Sequence, residues 1–363
     1  MTPQIKSSLM SVTRSQSFGR FVELLERLTD RHASLLRVLT YHRVDEPAAR
    51  PDLYPGTISA TPGVFAQQME HLASRYHVAS MAEVLSAVRG KGELPPRSVL
   101  ITFDDAYHDF ALDAWPVLRH HGLPATLFVP TAYPNGGSRP FWWDRLYHAV
   151  WRPGAGECLT TPLGPLMLTN RHERNLAVRR LLAYLKTLPH RQLEQVIDDV
   201  CGQQNASSPS GSVLSWERLR ALAAEGLTLA AHSQTHPLLS RVTLDEARRE
   251  VRGSRDDLVR EIGETPPVFA YPGGAFTGEV VAMLRSEGFE LAFTTCRGIN
   301  DLRRADPLRL RRINVGRHTT ASLWRAQLVA AARHGNFCWP MPAACCPLRA
   351  ARRPSGRGIR TAR

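Results

Sequence analysis

Two adjacent carboxylates stand at the end of an apolar stretch of this sequence. Residues 99–105 read VLITFDD, so that Asp104 and Asp105 close the apolar run. Neighbouring carboxylates repel each other and are costly to keep ionised where water is scarce. A bound cation would relieve this repulsion, because one aspartate could bind the cation while the other accepts a proton from water. An acidic helix N-cap would explain one aspartate well and the second poorly.

Two histidines later in the chain could complete such a cation site. The stretch AHSQTHP places His232 and His236 four residues apart, a spacing at which one turn of backbone can aim both rings at a common ion. One carboxylate and two neutral imidazoles suit a divalent metal such as zinc and leave positions for water and substrate. Taken alone the pair could be two surface histidines, but together with the carboxylates it favours a metal site.

The elements that must position these residues alternate between strand and helix patterns. Unbroken apolar runs such as 98–103 are typical of parallel strands whose two faces are both covered by helices. About seven such runs occur, ending with LRRINV at 310–315. We therefore expect an α/β fold, a distorted or incomplete (β/α) barrel of about seven parallel strands, rather than an open doubly wound sheet.

The ends of the predicted strands hold the residues that can do chemistry. The first strand ends at His42, the third at the paired aspartates, and later ones at His232 and at the segment FAYPGG, residues 269–274. Because the carboxyl ends of barrel strands meet at one face, we expect these side chains to share one site.

The sequence predicts three parts along the chain. Residues 1–34 are expected to form an N-terminal helical extension, 35–320 the barrel, and 321–363 a helix followed by a basic tail whose composition indicates disorder. Residues 133–212 break the rhythm of strands and helices. They are expected to form a helical insertion over one end of the barrel.

The formal net charge of +13 lies at the C-terminal end. Residues 303–363 hold fourteen arginines and a single acid, Asp306, which leaves 32 basic and 32 acidic residues in 1–302. Specific nucleic-acid binding is therefore not expected. The tail could contact an anionic membrane surface peripherally, or it could be a solvated extension without a function.

Apolar runs and cysteines bear on the expected compartment. No stretch approaches about 18 apolar residues and no signal-peptide core precedes the first helical pattern, so we expect a cytoplasmic location, at most peripheral to the inner membrane. The six cysteines contain no C-x-x-C pair and predict free thiols. His334 with Cys338, Cys345 and Cys346 fits no known zinc spacing.

Three short motifs resemble those of the polysaccharide deacetylases of carbohydrate esterase family four, whose domain is also called the nodulation-type deacetylase domain. TFDDAY at 102–107 is similar to the first motif, HSQTHP at 232–237 to the second, and FAYPGG to the third. The resemblance spans residues 35–316 apart from the insertion. It implies a metal-dependent hydrolase that releases acetate from an N-acetylated amino sugar, in a polysaccharide, an oligosaccharide or a lipid-linked sugar.

The resemblance also implies a role for each motif residue. Asp104 would be the general base, and the backbone N–H of Gly273 would stabilise the oxyanion. Tyr271 and Pro272 would contact the substrate. The expected metal is zinc, with cobalt or nickel as alternatives, and its expected ligands are Asp105, His232 and His236.

The chain departs from the family pattern near the third motif. Many members carry an arginine three residues before the motif's proline, where this chain has Phe269, and neither a D-x-x-D-W stretch nor a convincing late L-x-H is found. LTYHRV at 39–44 resembles the start of biofilm-polysaccharide deacetylases with permuted motifs, so His42 would be the general acid; a buried histidine satisfied by backbone is the alternative. Arg311 or Arg312 could replace the missing arginine, although a surface position is expected for both.

Two further questions stay open from the sequence. Trp142 and Trp143 in FWWDRL could stack on sugar rings at the mouth of the site, or be buried under the helices of the insertion. The metal motif does not specify the acyl group, so a formyl or cyclic amide is an alternative substrate. A third hypothesis for the function, besides hydrolysis of an acetylated sugar or of another amide, is a nonenzymatic binder that acts through the basic tail.

Overall fold

The computed structural model of the chain describes residues 15–28, 34–136, 139–206 and 212–329. Its strands are, in chain order, β1 (Leu35–Tyr41), β2 (Arg43–Val44), β3 (Ile58–Ala60), β4 (His77–Val78), β5 (Ser98–Phe103), β6 (Thr126–Val129), β7 (Cys158–Thr161), β8 (Gly164–Met167), β9 (Thr228–Ala231), β10 (Val268–Ala270), β11 (Leu291–Arg297), β12 (Asn300–Asp301) and β13 (Leu310–Asn314).

Seven of the described strands close into a barrel. The order around the ring is β1, β13, β11, β10, β9, β6 and β5, and each neighbouring pair is parallel. The ring closes because β1 also pairs in parallel with β5, from Leu36 opposite Ser98 to Tyr41 opposite Phe103. The predicted barrel is therefore confirmed, and its ring of strands is complete.

Helices connect the strands, as the alternating pattern predicts. Two of them begin with a capping box, in which Ser80 pairs with Glu83 and Thr243 pairs with Glu246. The helices are α1 (Gln16–Leu28), α2 (Pro62–Arg75), α3 (Met81–Val88), α4 (Trp115–His120), α5 (Trp142–Trp151), α6 (Arg171–Leu185), α7 (His190–Gln203), α8 (Trp216–Ala224), α9 (Leu244–Ile262), α10 (Gly278–Ser286) and α11 (Ala321–Val329).

Alternate residues of the barrel strands belong to two separate apolar clusters. On β5, Leu100 belongs to one cluster and Ile101 to the other. The cluster that contains Ile101 also contains Tyr41, whose Oη donates a hydrogen bond to Oε1 of Gln68 on α2 at 2.8 Å. This cluster therefore lies between strands and helices. Burial on both faces explains why the strand sequences are continuously apolar.

The segment between β6 and β9 includes α5, α6 and α7, together with the antiparallel hairpin of β7 and β8. It occupies the part of the chain where residues 133–212 predict a helical insertion, but the hairpin is not part of that prediction. Gly164, at φ 87°, closes the hairpin turn in a conformation that suits glycine.

The two ends of the described chain pack against each other. Glu26 of α1 accepts hydrogen bonds from Arg325 of α11 and lies 3.1 Å from Nε2 of His71. Among the described residues, no helix is both long and apolar enough to cross a membrane. The predicted basic tail, with His334 and the last three cysteines, lies outside the described residues; Cys158 and Cys201 are free thiols.

Candidate active site

The chemistry-bearing residues lie where barrel strands end. His42 follows β1, Asp104 follows β5 and His232 follows β9. The backbone N–H of Asp104 donates to Tyr41 O at 2.9 Å, and that of His232 donates to Val129 O at 3.2 Å. The hydrogen-bond ladder of the barrel thus continues up to these residues and fixes their backbone.

Asp105, His232 and His236 form a buried cluster of potential metal ligands. Oδ1 of Asp105 lies 3.5 Å from Nε2 of His232 and 3.3 Å from Nε2 of His236. One ligand atom from each residue lies within 4.8 Å of the others. Oδ1 of Asp105 has no hydrogen-bond partner among the described residues, which is costly for a buried carboxylate oxygen. This donor set fits a divalent cation.

Left-handed backbone shapes the loops that carry the cluster. Asp105, Ala106, Ser233 and His236 have φ of 73°, 52°, 62° and 59°. Such values are uncommon outside glycine, and they persist where surrounding structure enforces them. The loop from His232 to His236 is irregular, so the two rings converge through these conformations rather than through a regular helical turn.

Glu250 on α9 holds the histidine loop in place. Its Oε2 accepts hydrogen bonds from the backbone N–H groups of Gln234 and Thr235, both at 2.8 Å. Its Oε1 accepts the Thr235 hydroxyl at 2.6 Å. Inside the loop, the backbone N–H of His236 donates to Oγ of Ser233 at 3.1 Å.

The hydrogen bond of His232 determines which of its nitrogens can bind a cation. Nδ1 lies 2.8 Å from Ala270 O, and a carbonyl oxygen can only accept, so Nδ1 carries the proton. In the neutral imidazole, Nε2 is then the unprotonated nitrogen, and it faces Asp105. Nδ1 of His236, in contrast, is buried without a hydrogen-bond partner in the described chain.

Arg312 on β13 binds Asp104 through two parallel hydrogen bonds. Nη1 donates to Oδ1 at 2.9 Å and Nη2 to Oδ2 at 2.8 Å. Nε of Arg312 donates to Thr294 O at 2.8 Å. The expectation of a surface position is wrong for Arg312, whose side chain is 0% exposed. Successive residues of a strand face opposite sides, so Arg312 enters the barrel end while Arg311 stays partly exposed.

Local charges keep both aspartates ionised. Burial acts to raise the pKa of Asp105, but the adjacent imidazoles of His232 and His236 outweigh it and hold that pKa well below its usual range. Burial also acts to raise the pKa of Asp104, but the Arg312 guanidinium outweighs it and lowers the pKa. The Arg312 guanidinium and the two imidazoles thus offset the cost of two adjacent carboxylates.

His42 and Gly273 are the two other residues predicted to take part in the reaction. The His42 imidazole is partly exposed, and its electrostatic interaction contributes to lowering the pKa of both aspartates. Gly273 is exposed at φ 57°, and an added Cβ would lie 2.7 Å from a methyl carbon of Leu238. The third motif therefore packs directly on the loop that follows His236, and the left-handed backbone of Gly273 favours glycine there.

The other residues of the third motif are buried. Oη of Tyr271 donates to Leu308 O at 2.9 Å, which commits this side chain to the barrel wall. Pro272 is also buried, and so is Phe269, which stands where many family members have arginine. A substrate contact by Tyr271 or Pro272 stays a prediction, and for Tyr271 the phenol is already engaged.

Trp142 and Trp143 are largely buried, with 6% and 8% exposure. Their rings meet at 80° with centroids 5.4 Å apart, and the Trp143 ring lies 5.0 Å from that of His236. The structure thus places aromatic packing, the second of the two alternatives, directly beside a potential metal ligand. Stacking of either ring on a sugar stays a prediction.

Comparison with known proteins identifies the family. The family model described as polysaccharide deacetylase matches residues 91–150 and 170–292, half of the chain. The chain belongs to the polysaccharide deacetylase family. A segment of 87 residues, 24% of the chain, is 32% identical to the poly-β-1,6-N-acetyl-D-glucosamine N-deacetylase of Escherichia coli strain K12. The match spans only 12% of that relative's length.

Solved structures similar to this deacetylase-family chain support its fold. The Streptococcus pyogenes deacetylase PplD, in complex with acetate, has a TM-score of 0.55 at 19% identity, over 83% of this chain and 99% of that one. IcaB from Ammonifex degensii has a TM-score of 0.53 at 21% identity, over 82% and 97% of the two chains.

Sequence reasoning leaves the choice between Arg311 and Arg312 open and misses Glu250. The pair of arginines on β13 signals that one must face inward, but the sequence does not tell which. Glu250 carries no local signal, because its partners are backbone groups on a loop of another segment.

Proposed function

We propose that this protein is a metal-dependent hydrolase that removes the acetyl group from N-acetylated amino sugars. The observation that carries the proposal is the buried Asp105, His232 and His236 cluster with the Asp104–Arg312 pair beside it. The family match supports the reaction class. Hydrolysis would cleave the amide C–N bond, release acetate and leave a free amine on the sugar.

Asp104 is the general base in this proposal. Its two hydrogen bonds to Arg312 fix the orientation of the carboxylate and keep it ionised, so that it can accept a proton from the attacking water. A divalent cation held by Asp105, His232 and His236 would polarise the acetyl carbonyl and lower the pKa of that water. We propose zinc, with cobalt or nickel as substitutes.

His42 and Gly273 complete the reaction in this proposal. The partly exposed imidazole of His42, which is coupled electrostatically to both aspartates, would protonate the departing amine. The backbone N–H of the exposed Gly273 would donate to the oxyanion. Since a leaving amine needs a proton before the C–N bond breaks, the acid is as necessary as the base.

The E. coli relative supports β-1,6-linked N-acetylglucosamine as the substrate class. The test measures acetate and free amine released from β-1,6-linked N-acetylglucosamine oligomers, chitooligosaccharides and lipid-linked N-acetyl amino sugars, in the presence of zinc. The proposal predicts equal amounts of acetate and amine, strongest with the β-1,6-linked oligomers, and their loss in Asp104→Asn. Hydrolysis of formyl or cyclic amides with no acetate from any sugar would contradict it.

A further inference from the structure

The two histidines of the proposed metal site differ in what orients their rings. A histidine that binds a metal almost always donates its other ring N–H to a carboxylate, a carbonyl or water. His232 follows this rule through Ala270 O at 2.8 Å. Nδ1 of His236 is buried and has no such partner within the described residues. The contacts that the described residues do make with the His236 ring are aromatic.

Two aromatic rings of the insertion pack against His236. Phe141 and Trp143 are stacked on each other, with centroids 4.5 Å apart and planes 10° from parallel. The His236 ring stands nearly perpendicular to both, 5.7 Å from Phe141 and 5.0 Å from Trp143, at 72° and 71°. Near-perpendicular aromatic contacts are favourable because positive ring edges meet negative ring faces. They restrict the tilt of the imidazole without a hydrogen bond.

Trp143 is itself fixed by a chain of buried hydrogen bonds. Its Nε1 donates to Oη of Tyr107 at 2.8 Å, and that Oη donates to Oδ2 of Asp144 at 3.1 Å. Oδ1 of Asp144 accepts the backbone N–H of Tyr54 at 2.7 Å. Tyr107 lies two residues after Asp105, so this chain ties the insertion to the loop that carries the carboxylate ligand.

We propose that Trp143 is a positioning residue for His236: its indole, locked by Tyr107 and stacked on Phe141, orients the imidazole through edge-to-face packing. The proposal rests on the proposed metal site. It gives the insertion a function, because helix α5 then supplies one wall of the metal centre. The metal affinity of the barrel depends in this proposal on a segment that contains none of the ligands.

The experiment measures the zinc dissociation constant of the full chain, freed of metal, by competition with a chromophoric chelator. Trp143→Leu should raise the dissociation constant about 10- to 100-fold, the usual effect of losing a partner that orients a ligand. Trp143→Phe keeps an aromatic ring but loses the Tyr107 hydrogen bond, and should raise it by up to about tenfold. The matched control is Trp151→Leu, at the other end of α5, where the indole stacks on Tyr147.

Melting temperatures of the metal-free proteins separate positioning from folding. Trp151→Leu should lower the melting temperature and leave zinc affinity unchanged, because both substitutions remove a tryptophan but only one borders His236. Equal zinc affinity in folded Trp143→Leu and wild type would overturn the proposal. If Trp143→Leu does not fold, an unchanged dissociation constant in Trp143→Phe overturns it. A wild-type chain that binds no zinc overturns the metal site as well, whereas zinc binding without acetate release contradicts the proposed function alone.

Discussion

Replacement of Arg312 by methionine removes the cation that keeps Asp104 ionised. The two side chains are fully buried and share hydrogen bonds of 2.9 and 2.8 Å. An adjacent cation of this kind lowers an aspartate pKa by about 1 to 3 units, so Arg312→Met should raise the pKa of Asp104 by that amount. At about 1.4 kcal/mol per unit, the ionised base loses about 1.4 to 4 kcal/mol of stabilisation.

The direction of the pKa change in Asp104 can be measured from the pH dependence of kcat/KM. Because the folded pKa of Asp104 is lowered, its contribution to stability is present above the unfolded pKa of about 3.9 and is lost as pH falls through the folded value. In Arg312→Met the base protonates earlier on acidification. The acid limb of kcat/KM, measured at equal zinc loading, should therefore move to higher pH by about 1 to 3 units.

Two further variants make the measurement decisive. Arg312→Lys keeps the charge but loses the paired hydrogen bonds, so its acid limb should lie between those of wild type and Arg312→Met. The control Arg311→Met alters the neighbouring, partly exposed arginine and should leave the acid limb in place. The free energy of unfolding of Arg312→Met, measured with urea at neutral pH, should be about 3 to 5 kcal/mol lower than that of wild type. An acid limb that coincides with wild type in folded Arg312→Met and Arg312→Lys would refute the assignment of Asp104 as a base tuned by Arg312.

Three other predictions concern Asp144, His42 and the C-terminal tail. Burial raises the pKa of Asp144 to about 7, so the folded chain keeps a proton that the unfolded chain loses, and the free energy of unfolding should fall by up to about 4 kcal/mol between pH ~4 and ~7. Asp144→Asn should flatten this slope in urea unfolding, and an unchanged slope would contradict the burial argument. His42→Ala should slow acetate release without changing metal content, whereas an unchanged rate would make His42 structural. Deletion of residues 345–363 should leave acetate release intact and abolish any salt-sensitive binding to anionic vesicles, while loss of hydrolysis would tie the tail to catalysis.

The barrel could be predicted because its signal is repeated along the chain. Strands such as β5 are apolar at every position, since both faces are buried, and polar residues follow at the carboxyl ends. The same geometry predicts that Asp105 and His232 share a site. The spacing of the motifs supplies the potential ligands before any contact is known.

The contacts that hold the ligands could not be predicted in the same way. Whether Arg311 or Arg312 faces Asp104 depends on the register of β13, where pairing with β11 is irregular between Phe293 and Arg297. Trp143 meets His236 only because the insertion folds back over the barrel. The sequence also gives no sign that the Tyr271 hydroxyl donates to Leu308 O, a contact made across the fold.

The most direct test of the metal mechanism measures acetate release and bound zinc on the same samples. The samples are wild type, Asp104→Asn and His232→Ala. We predict that a chelator abolishes release by wild type and that zinc restores it with one ion per chain. Asp104→Asn should bind zinc and release no acetate, whereas His232→Ala should do neither. Release that persists in a strong chelator would contradict the metal mechanism, and an empty site in Asp104→Asn would reverse the roles of the two aspartates.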